Sequence, residues 1–193
     1  MSTRRGSEPA ARPLRVAEAD RKPVSAVYQT DWGEGAVTVC EGRLIAVDVP
    51  VDRAQNVTAV DLDSLHVDDR AALRRWVTEL EAYFRGERLC WSAGEVALDE
   101  LGLPGFVRDV YAALLEVPAA ETVSYGALAE QAGYPRAARA VGNAMASNPI
   151  PIVVPCHRVI KADGSYGNYG SDPAYKVLLL DHERACVAPR ENG

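Results

Sequence analysis

The chain has 193 residues, of which 48% are hydrophobic, and a formal net charge of −6. These values suit one large or two small globular domains, and no apolar run is long enough to span a bilayer. Residues 1–23 are rich in Arg, Ala, Glu and Pro and lack the apolar stretch of a secretory signal. We therefore expect a disordered tail, no membrane partner and a cytoplasmic location.

The cysteines argue against a metal site and against a disulfide framework. The chain has four of them, far apart and without a CxxC pair, and its three histidines are not paired either. A structural zinc site needs closely spaced Cys or His ligands, and a disulfide-rich scaffold needs a regular cysteine pattern. We predict no bound metal.

The charge is unevenly distributed. Residues 131–161 contain no Asp or Glu but four basic residues, which give this segment +4 and leave −10 on the rest. A net charge of −6 alone would disfavour nucleic acid as a partner. An acidic protein with one basic segment can still bind a polyanion, because electrostatic attraction acts at short range in salt. Chance clustering is the alternative explanation.

The first half of the chain predicts a small sheet followed by a helix. Runs rich in Val and Ala over 24–30, 36–40 and 44–49 are typical of strands, and Glu41-Gly42 between the last two suits a tight turn. Apolar residues at helical spacing predict a helix over 68–85, ended by a glycine. Nothing in this half indicates catalysis.

Three further helices are predicted in the second half. The first begins near Phe106 and is closed by Pro118, and the second is capped by Ser124 and ends at Ala132. The third runs from about residue 136 to 147. The last two have the outline of a helix-turn-helix, although any pair of helices joined by a short turn would look the same.

The third helix is composed mostly of Ala and Gly, with few long side chains. Such a helix either packs tightly inside a crowded core or presents a smooth face to something outside the protein. A narrow DNA minor groove would demand a smooth face, with Arg139 as the one long side chain that reaches out.

Residues 148–160 are predicted to form a stiff, extended segment because three prolines fix the backbone around the central cysteine. A buried cysteine is usually an inert core thiol. Here Cys156 is followed directly by His157 and Arg158, and a thiol needs a nearby base or positive charge to form a thiolate at neutral pH. The segment therefore favours a reactive cysteine. Arg158 could either contact phosphate or brace the turn.

The second half resembles the O6-alkylguanine-DNA alkyltransferase family. The resemblance rests on five ordered blocks between residues 106 and 183: 124–129, 137–142, 148–149 with 155–159, 164–170, and 176–183. It implies an α+β fold, with a small N-terminal α/β domain over 24–102. A mainly helical C-terminal domain with a winged helix-turn-helix would follow over 103–188.

The resemblance also implies an activity. The chain would repair duplex DNA by moving the alkyl group of O6-alkylguanine, and of O4-alkylthymine, irreversibly to a cysteine. It would bind the minor groove, flip the base out of the stack and act once per molecule, without a cofactor. We expect a monomer, with cooperativity along DNA left open.

The family's functional residues can be placed on matching positions of this chain. Cys156 would accept the alkyl group, His157 would help to remove the thiol proton through a water, and Glu183 would orient that histidine. Asn148 would hold the turn before the cysteine. This is the nucleophile, base and orienter arrangement of a catalytic triad.

Other residues would contact DNA and the base. Tyr125 would press on the phosphate and donate a hydrogen bond to the flipped base, and Arg139 would fill the gap in the duplex. The smooth helix face comprises Ala137, Ala138, Ala140 and Gly142, with Arg136 as a further phosphate contact. Val159, Tyr169 and Gly170 would line the base pocket.

The chain departs from the family pattern in two places. The family commonly has a glycine in the segment before Ser124, where this chain reads Pro-Ala-Ala-Glu-Thr-Val, so we expect a small backbone change there. Some members have a serine donor at the position of Gly170, whose absence would alter the preferred alkyl groups.

Three other functions compete with alkyl transfer. Alkyltransferase-like proteins bind lesions without repairing them, but they have Trp in place of the cysteine. A helix-turn-helix regulator would need long side chains for the major groove, which the third helix lacks. A cysteine hydrolase would need a distant histidine, for which His182 is the candidate, and an oxyanion hole.

Overall fold

The computed structural model describes residues 21–51, 61–166 and 173–188. Both strands and helices form this part of the chain, so the mixed α+β class expected from the sequence is confirmed. No helix within it is long and apolar enough to cross a membrane. The same residues contain no group of three or more His, Cys, Asp or Glu side chains that could hold a metal ion.

The chain begins with an antiparallel sheet of three strands, β1 (Val24–Thr30), β2 (Gly33–Cys40) and β3 (Arg43–Val51), in the order β1-β2-β3. All three predicted strands lie inside these bounds. The predicted turn between β2 and β3 has both central residues in the left-handed region, with φ of 52° at Glu41 and 77° at Gly42. This conformation matches the twist of a two-residue hairpin.

Helix α1 (Val67–Phe84) packs against the sheet, close to the predicted bounds. Its buried face includes Leu73, Trp76 and Leu80, at the spacing that identified it. Near its start the Asp69 carboxylate accepts a hydrogen bond from the Gly42 nitrogen at 2.7 Å. The hairpin turn is thereby fixed to the helix.

Helix α2 (Ala93–Val96) was not predicted from the sequence, because one turn is too short to show a periodic pattern. A capping box holds it, in which Ser92 and Glu95 satisfy each other's backbone nitrogens. Helix α3 (Gly105–Leu115) follows and corresponds to the predicted helix that begins near Phe106.

The C-terminal part consists of β4 (Val123–Ser124), α4 (Tyr125–Gln131), α5 (Ala138–Ala146), β5 (Val159–Ile160) and α6 (Pro173–Val187). The short strands β4 and β5 are parallel, and Val123 lies opposite Val159. This pairing places the start of α4 beside the residues that follow the cysteine. As predicted, Ser124 caps α4, accepting a hydrogen bond from the Ala127 nitrogen at 3.1 Å.

Helix α5 begins two residues later than predicted. Arg136 has a φ of 70°, in the left-handed region, and Ala137 is the N-cap residue. A residue with positive φ cannot continue a right-handed helix, so the helical pattern of the sequence extended too far toward the N-terminus.

One hydrophobic core joins the two halves of the described chain. It contains side chains of the sheet, of α1, and of the helices and segment around the cysteine. A backbone hydrogen bond of 2.8 Å from the Val47 nitrogen to the Pro149 oxygen also connects β3 with the segment before the cysteine. The first half therefore supports the site directly. The predicted boundary near residue 103 stays a prediction.

Candidate active site

The backbone before Cys156 is tightly constrained, but it is turned, so the extended conformation predicted for residues 148–160 is wrong. Ile152 is fully buried with a φ of 73°, which costs about 1–3 kcal/mol for a residue that is not glycine. The Val154 oxygen accepts a hydrogen bond from the Cys156 nitrogen at 2.8 Å. A 3₁₀ turn, Cys156–Arg158, follows at once. The segment holds the thiol, whose residue is 7% exposed, in one position at the edge of the core.

Asn148 connects the end of α5 with this cysteine. Its amide Nδ2 donates to the Val154 oxygen at 2.8 Å and lies 3.2 Å from Cys156 Sγ. Its Oδ1 accepts from the Ile150 nitrogen at 3.1 Å. The side chain thus ties three points of the turn together and directs an N–H group at the sulfur. An N–H donor at that position stabilises a thiolate.

His157 and Glu183 form a buried pair. The His157 Nε2 lies 2.7 Å from the Glu183 Oε1, and both side chains are 0% exposed. Burial lowers the pKa of His157 below its ordinary value, although Glu183 acts in the opposite direction. Burial alone would raise the pKa of Glu183, but hydrogen bonds and charges from His157 and Arg158 hold it well below its usual range. A neutral histidine beside a carboxylate is suited to accept a proton.

Arg158 braces the turn and does not contact phosphate. Its side chain is 1% exposed, and its Nη2 lies 2.7 Å from the Glu183 Oε1. Nη2 also donates to the Leu89 carbonyl oxygen and Nη1 to the Val117 carbonyl oxygen, each at 2.7 Å, and Nε donates to the Glu183 Oε2 at 3.0 Å. Of the two roles left open by the sequence, phosphate contact is therefore wrong, because an exposed phosphate cannot reach a guanidinium that is buried and fully engaged.

Two partners of Glu183 were missed in the sequence. The Tyr83 hydroxyl donates to Oε1 at 3.0 Å, and the Ala120 nitrogen donates to Oε2 at 2.8 Å. The sequence did contain a signal for the first of them. Tyr83 lies on the apolar face of α1, and a buried tyrosine hydroxyl needs a hydrogen-bond partner. Ala120 has a φ of 66° and lies in the segment where the family commonly has a glycine, the residue that adopts this conformation most easily.

Val159 follows the cysteine turn and is bonded to Lys176 of α6. Val159 is fully buried in β5, and its carbonyl oxygen accepts a hydrogen bond from the Lys176 ammonium, which is 1% exposed. Burial lowers the pKa of Lys176, and the charge of a Cys156 thiolate acts against this. The predicted pocket residues Tyr169 and Gly170 lie outside the described residues.

Tyr125 begins α4 and is half-buried close to the cysteine. Burial raises the pKa of its hydroxyl, and the negative charge of a Cys156 thiolate raises it further. The phenol therefore stays protonated at neutral pH and can donate a hydrogen bond beside the sulfur.

Packing within the protein does not demand a glycine at position 142 of α5, whereas Ala144 on the same helix is buried in the core. A Cβ added at Gly142 would meet no atom within 4 Å, and Ala140 is exposed. Ala138 and Gly142 lie one turn apart and are both half-buried, so this flank of the helix is smooth and partly accessible. The crowded-core explanation of the composition therefore fails at Gly142.

Basic side chains are exposed in the same part of the chain. Arg139, Arg136 and Lys161 are all exposed, whereas Arg158 is buried against Glu183. Three of the four positive charges noted in the sequence thus lie at the surface. His182 is engaged elsewhere, since its Nε2 lies 2.8 Å from the backbone carbonyl oxygen of Tyr83 and its ring packs against Trp32 and the Tyr83 ring.

Comparison with known proteins identifies the family. Residues 105–185 match the family model described as the DNA-binding domain of 6-O-methylguanine DNA methyltransferase. A methylated-DNA–protein-cysteine methyltransferase from Mycobacterium leprae is 46% identical over 116 residues, which cover 60% of this chain and 68% of the relative. The mouse protein of the same name is 47% identical over 116 residues, covering 54% of this chain and 51% of the relative.

Solved structures agree with these sequences. A variant of Mycobacterium tuberculosis O6-methylguanine methyltransferase has a TM-score of 0.65 and 33% identity, covering 88% of this chain and 98% of that chain. A Mycobacterium tuberculosis OGT structure in complex with DNA has a TM-score of 0.63 and 34% identity, covering 84% and 93%. The chain belongs to the methylated-DNA–protein-cysteine methyltransferase family.

Proposed function

We propose that this chain repairs DNA by direct reversal, taking the alkyl group from O6 of guanine onto the sulfur of Cys156. Two observations together carry the proposal: the Asn148 amide lies 3.2 Å from the Cys156 sulfur, and the next residue in the chain, His157, forms a buried pair with Glu183. The family's name describes the same transfer for its members.

The chemistry balances with the groups present. The thiol proton passes to His157 through a water, and Glu183 stabilises the imidazolium that forms. The thiolate attacks the alkyl carbon in line, so a carbon–sulfur bond forms as the carbon–oxygen bond breaks. The departing guanine takes up a proton from the Tyr125 hydroxyl, and the His157 imidazolium returns its proton to Tyr125 through solvent, so the thiol proton ends on the guanine. Displacement at saturated carbon needs only a nucleophile and help for the leaving oxygen, so the reaction as written uses no cofactor.

The product of the transfer explains why each protein molecule would react only once. A thioether at Cys156 has no leaving group that the neighbouring side chains could displace, so each chain would act once. The same displacement would apply to O4-alkylthymine, whose alkyl carbon is bonded to oxygen in the same way. Transfer is then stoichiometric with protein.

Duplex DNA with an alkylated guanine is the proposed substrate, bound by α4 and α5 as a winged helix-turn-helix. The smooth, partly accessible flank of α5 at Ala138 and Gly142 fits a minor groove, and Arg139 would occupy the space left by the flipped base. Arg136 would contact phosphate. Val159, with Tyr169 and Gly170, would line the base pocket. We further propose that the protein acts as a monomer, with residues 24–102 and 103–188 as its two domains.

The proposal can be tested by exchanging the cysteines separately. Cys156→Ala should abolish transfer of a labelled methyl group from O6-methylguanine in duplex DNA while DNA affinity stays near that of the wild type. Cys186→Ala, at a half-buried cysteine near the end of α6, is the matched control and should transfer normally. Retained transfer by Cys156→Ala would overturn the assignment.

A further inference from the structure

The Glu183 carboxylate receives donors from both halves of the chain. His157, Arg158 and the Ala120 nitrogen come from the C-terminal half. Tyr83 comes from α1 in the N-terminal half, a hundred residues away, with its hydroxyl 3.0 Å from Oε1. We call Cys156, His157 and Glu183 the proposed catalytic relay. This relay is thus completed by a side chain outside the family's DNA-binding domain.

Tyr83 cannot easily point elsewhere. Its side chain is 0% exposed, and its ring packs edge-on against Phe84 at 5.2 Å and stacks near Trp91 at 6.1 Å between centroids. Burial raises the pKa of the Tyr83 hydroxyl, and the Glu183 charge raises it further. The phenol therefore stays protonated at neutral pH and acts as a neutral donor.

This donor has a chemical consequence for His157. Oε1 of Glu183 accepts from His157, Arg158 and Tyr83 together. Each hydrogen bond to a carboxylate stabilises its charge and makes it a weaker base. A weaker carboxylate attracts less positive charge onto the imidazole, so His157 stays neutral to lower pH and remains ready to take the thiol proton.

We propose that Tyr83 is a positioning residue for the activation of Cys156: its hydroxyl fixes the Glu183 carboxylate against His157 and limits the basicity of that histidine. The inference rests on the proposed function, because only transfer to Cys156 gives His157 a proton to accept. It assigns part of the relay to the N-terminal half of the protein.

Other groups near the relay set the background for its pH response. The titratable or charged side chains that face Glu183, His157, Arg158 or Tyr83 are Cys90 from the loop before α2, Cys156 from the turn, and Lys176, Tyr175 and His182 from α6. None of them is altered when the Tyr83 hydroxyl alone is removed, so the comparison isolates that hydroxyl.

The test is the pH dependence of single-turnover methyl transfer at saturating DNA, for wild type and Tyr83→Phe. We expect the acidic limb of the profile to move upward by about half a pH unit in the variant. Transfer at pH values on that limb should therefore slow by about threefold, with less change at alkaline pH. Tyr28→Phe is the matched control, since that hydroxyl is equally buried but donates to the backbone carbonyl oxygen of Asp48.

The inference would be overturned if the Tyr83→Phe profile superimposed on that of the wild type. It would also be overturned if the acidic limb moved as far in Tyr28→Phe as in Tyr83→Phe. Absence of transfer in the wild type would instead overturn the proposed function. Should Tyr83→Phe fold poorly, 3-fluorotyrosine placed at position 83 provides a stronger donor. The acidic limb should then move to lower pH, and an upward or absent shift would contradict the proposal.

Discussion

The side-chain amide of Asn148 lies 3.2 Å from the sulfur of Cys156 and also holds the Val154 carbonyl oxygen at 2.8 Å. One side chain therefore both shapes the turn and stabilises negative charge on the nucleophile. Hydrogen bonds to charged groups contribute about 1.5–3 kcal/mol, more than those between neutral groups.

Asn148→Ala should slow transfer by about 10- to 100-fold, because the thiolate loses this donor. Single-turnover kinetics on duplex DNA would measure the loss, with thermal unfolding recorded alongside. Ser147→Ala, which removes a hydroxyl bonded to the Asn143 oxygen at 3.0 Å, is the neighbouring control. A wild-type rate in Asn148→Ala would show that the amide serves the fold alone.

The folded protein should lose stability as pH falls. The pKa of His157 lies below its ordinary 6.5, and that of Glu183 lies well below its ordinary 4.5. In both cases the unfolded chain binds more protons, so stability is full above the unfolded pKa and is lost on acidification. The loss begins below about pH 6.5 through His157 and steepens below about pH 4.5 through Glu183.

The variant Glu183→Gln separates the contribution of Glu183 to the acid-induced loss of stability from that of His157. It should destabilise the protein at neutral pH by about 3–5 kcal/mol, because Arg158 is left as a buried charge without its counterion. It should also remove the steeper loss below the carboxylate pKa. Urea unfolding across the acidic range would measure both effects. Equal pH slopes in wild type and variant would contradict the assigned charge state.

Gly142→Ala should weaken DNA binding without harming the fold. The added Cβ meets open space, and alanine is favoured over glycine within a helix by about 0.5–1 kcal/mol. Gly94→Ala in α2 also places its Cβ in open space and is the matched control. Fluorescence anisotropy should show weaker duplex binding for Gly142→Ala only. Equal affinity in both variants would mean that this face of α5 does not approach DNA.

Arg139→Ala should slow repair in duplex DNA by about tenfold or more, since flipping a base costs a few kcal/mol that the inserted side chain offsets. Reaction with free O6-alkylguanine should be nearly unchanged, because no base has to leave a stack. Arg74→Ala, at an exposed arginine on α1, controls for the loss of one charge. Equal slowing with both substrates would rule out the proposed insertion.

The sequence predicted the elements whose pattern repeats. Three strands and α1 were found by periodicity, and α4 by its Ser124 cap. The sequence also indicated a reactive cysteine, because Cys156 is followed directly by His157. Local patterns do not encode contacts between distant segments, so the bond between Tyr83 and Glu183 could not be read from either residue alone.

The same limit explains the wrong alternative for Arg158. In the sequence this residue adds to a basic segment, and a phosphate contact was as plausible as a structural role. Only the fold brings Glu183 within 2.7 Å and covers the guanidinium. Likewise, a left-handed residue at Arg136 has no signature comparable to a glycine, so the start of α5 was placed too early.

Mass spectrometry of the intact protein, after mixing with duplex DNA that contains one O6-methylguanine, tests the central claim most directly. We predict a gain of one methyl group per chain, located on the peptide that contains Cys156, with no further gain when DNA is in excess. An unchanged mass, a methyl group on another cysteine, or repeated turnover would contradict transfer to Cys156.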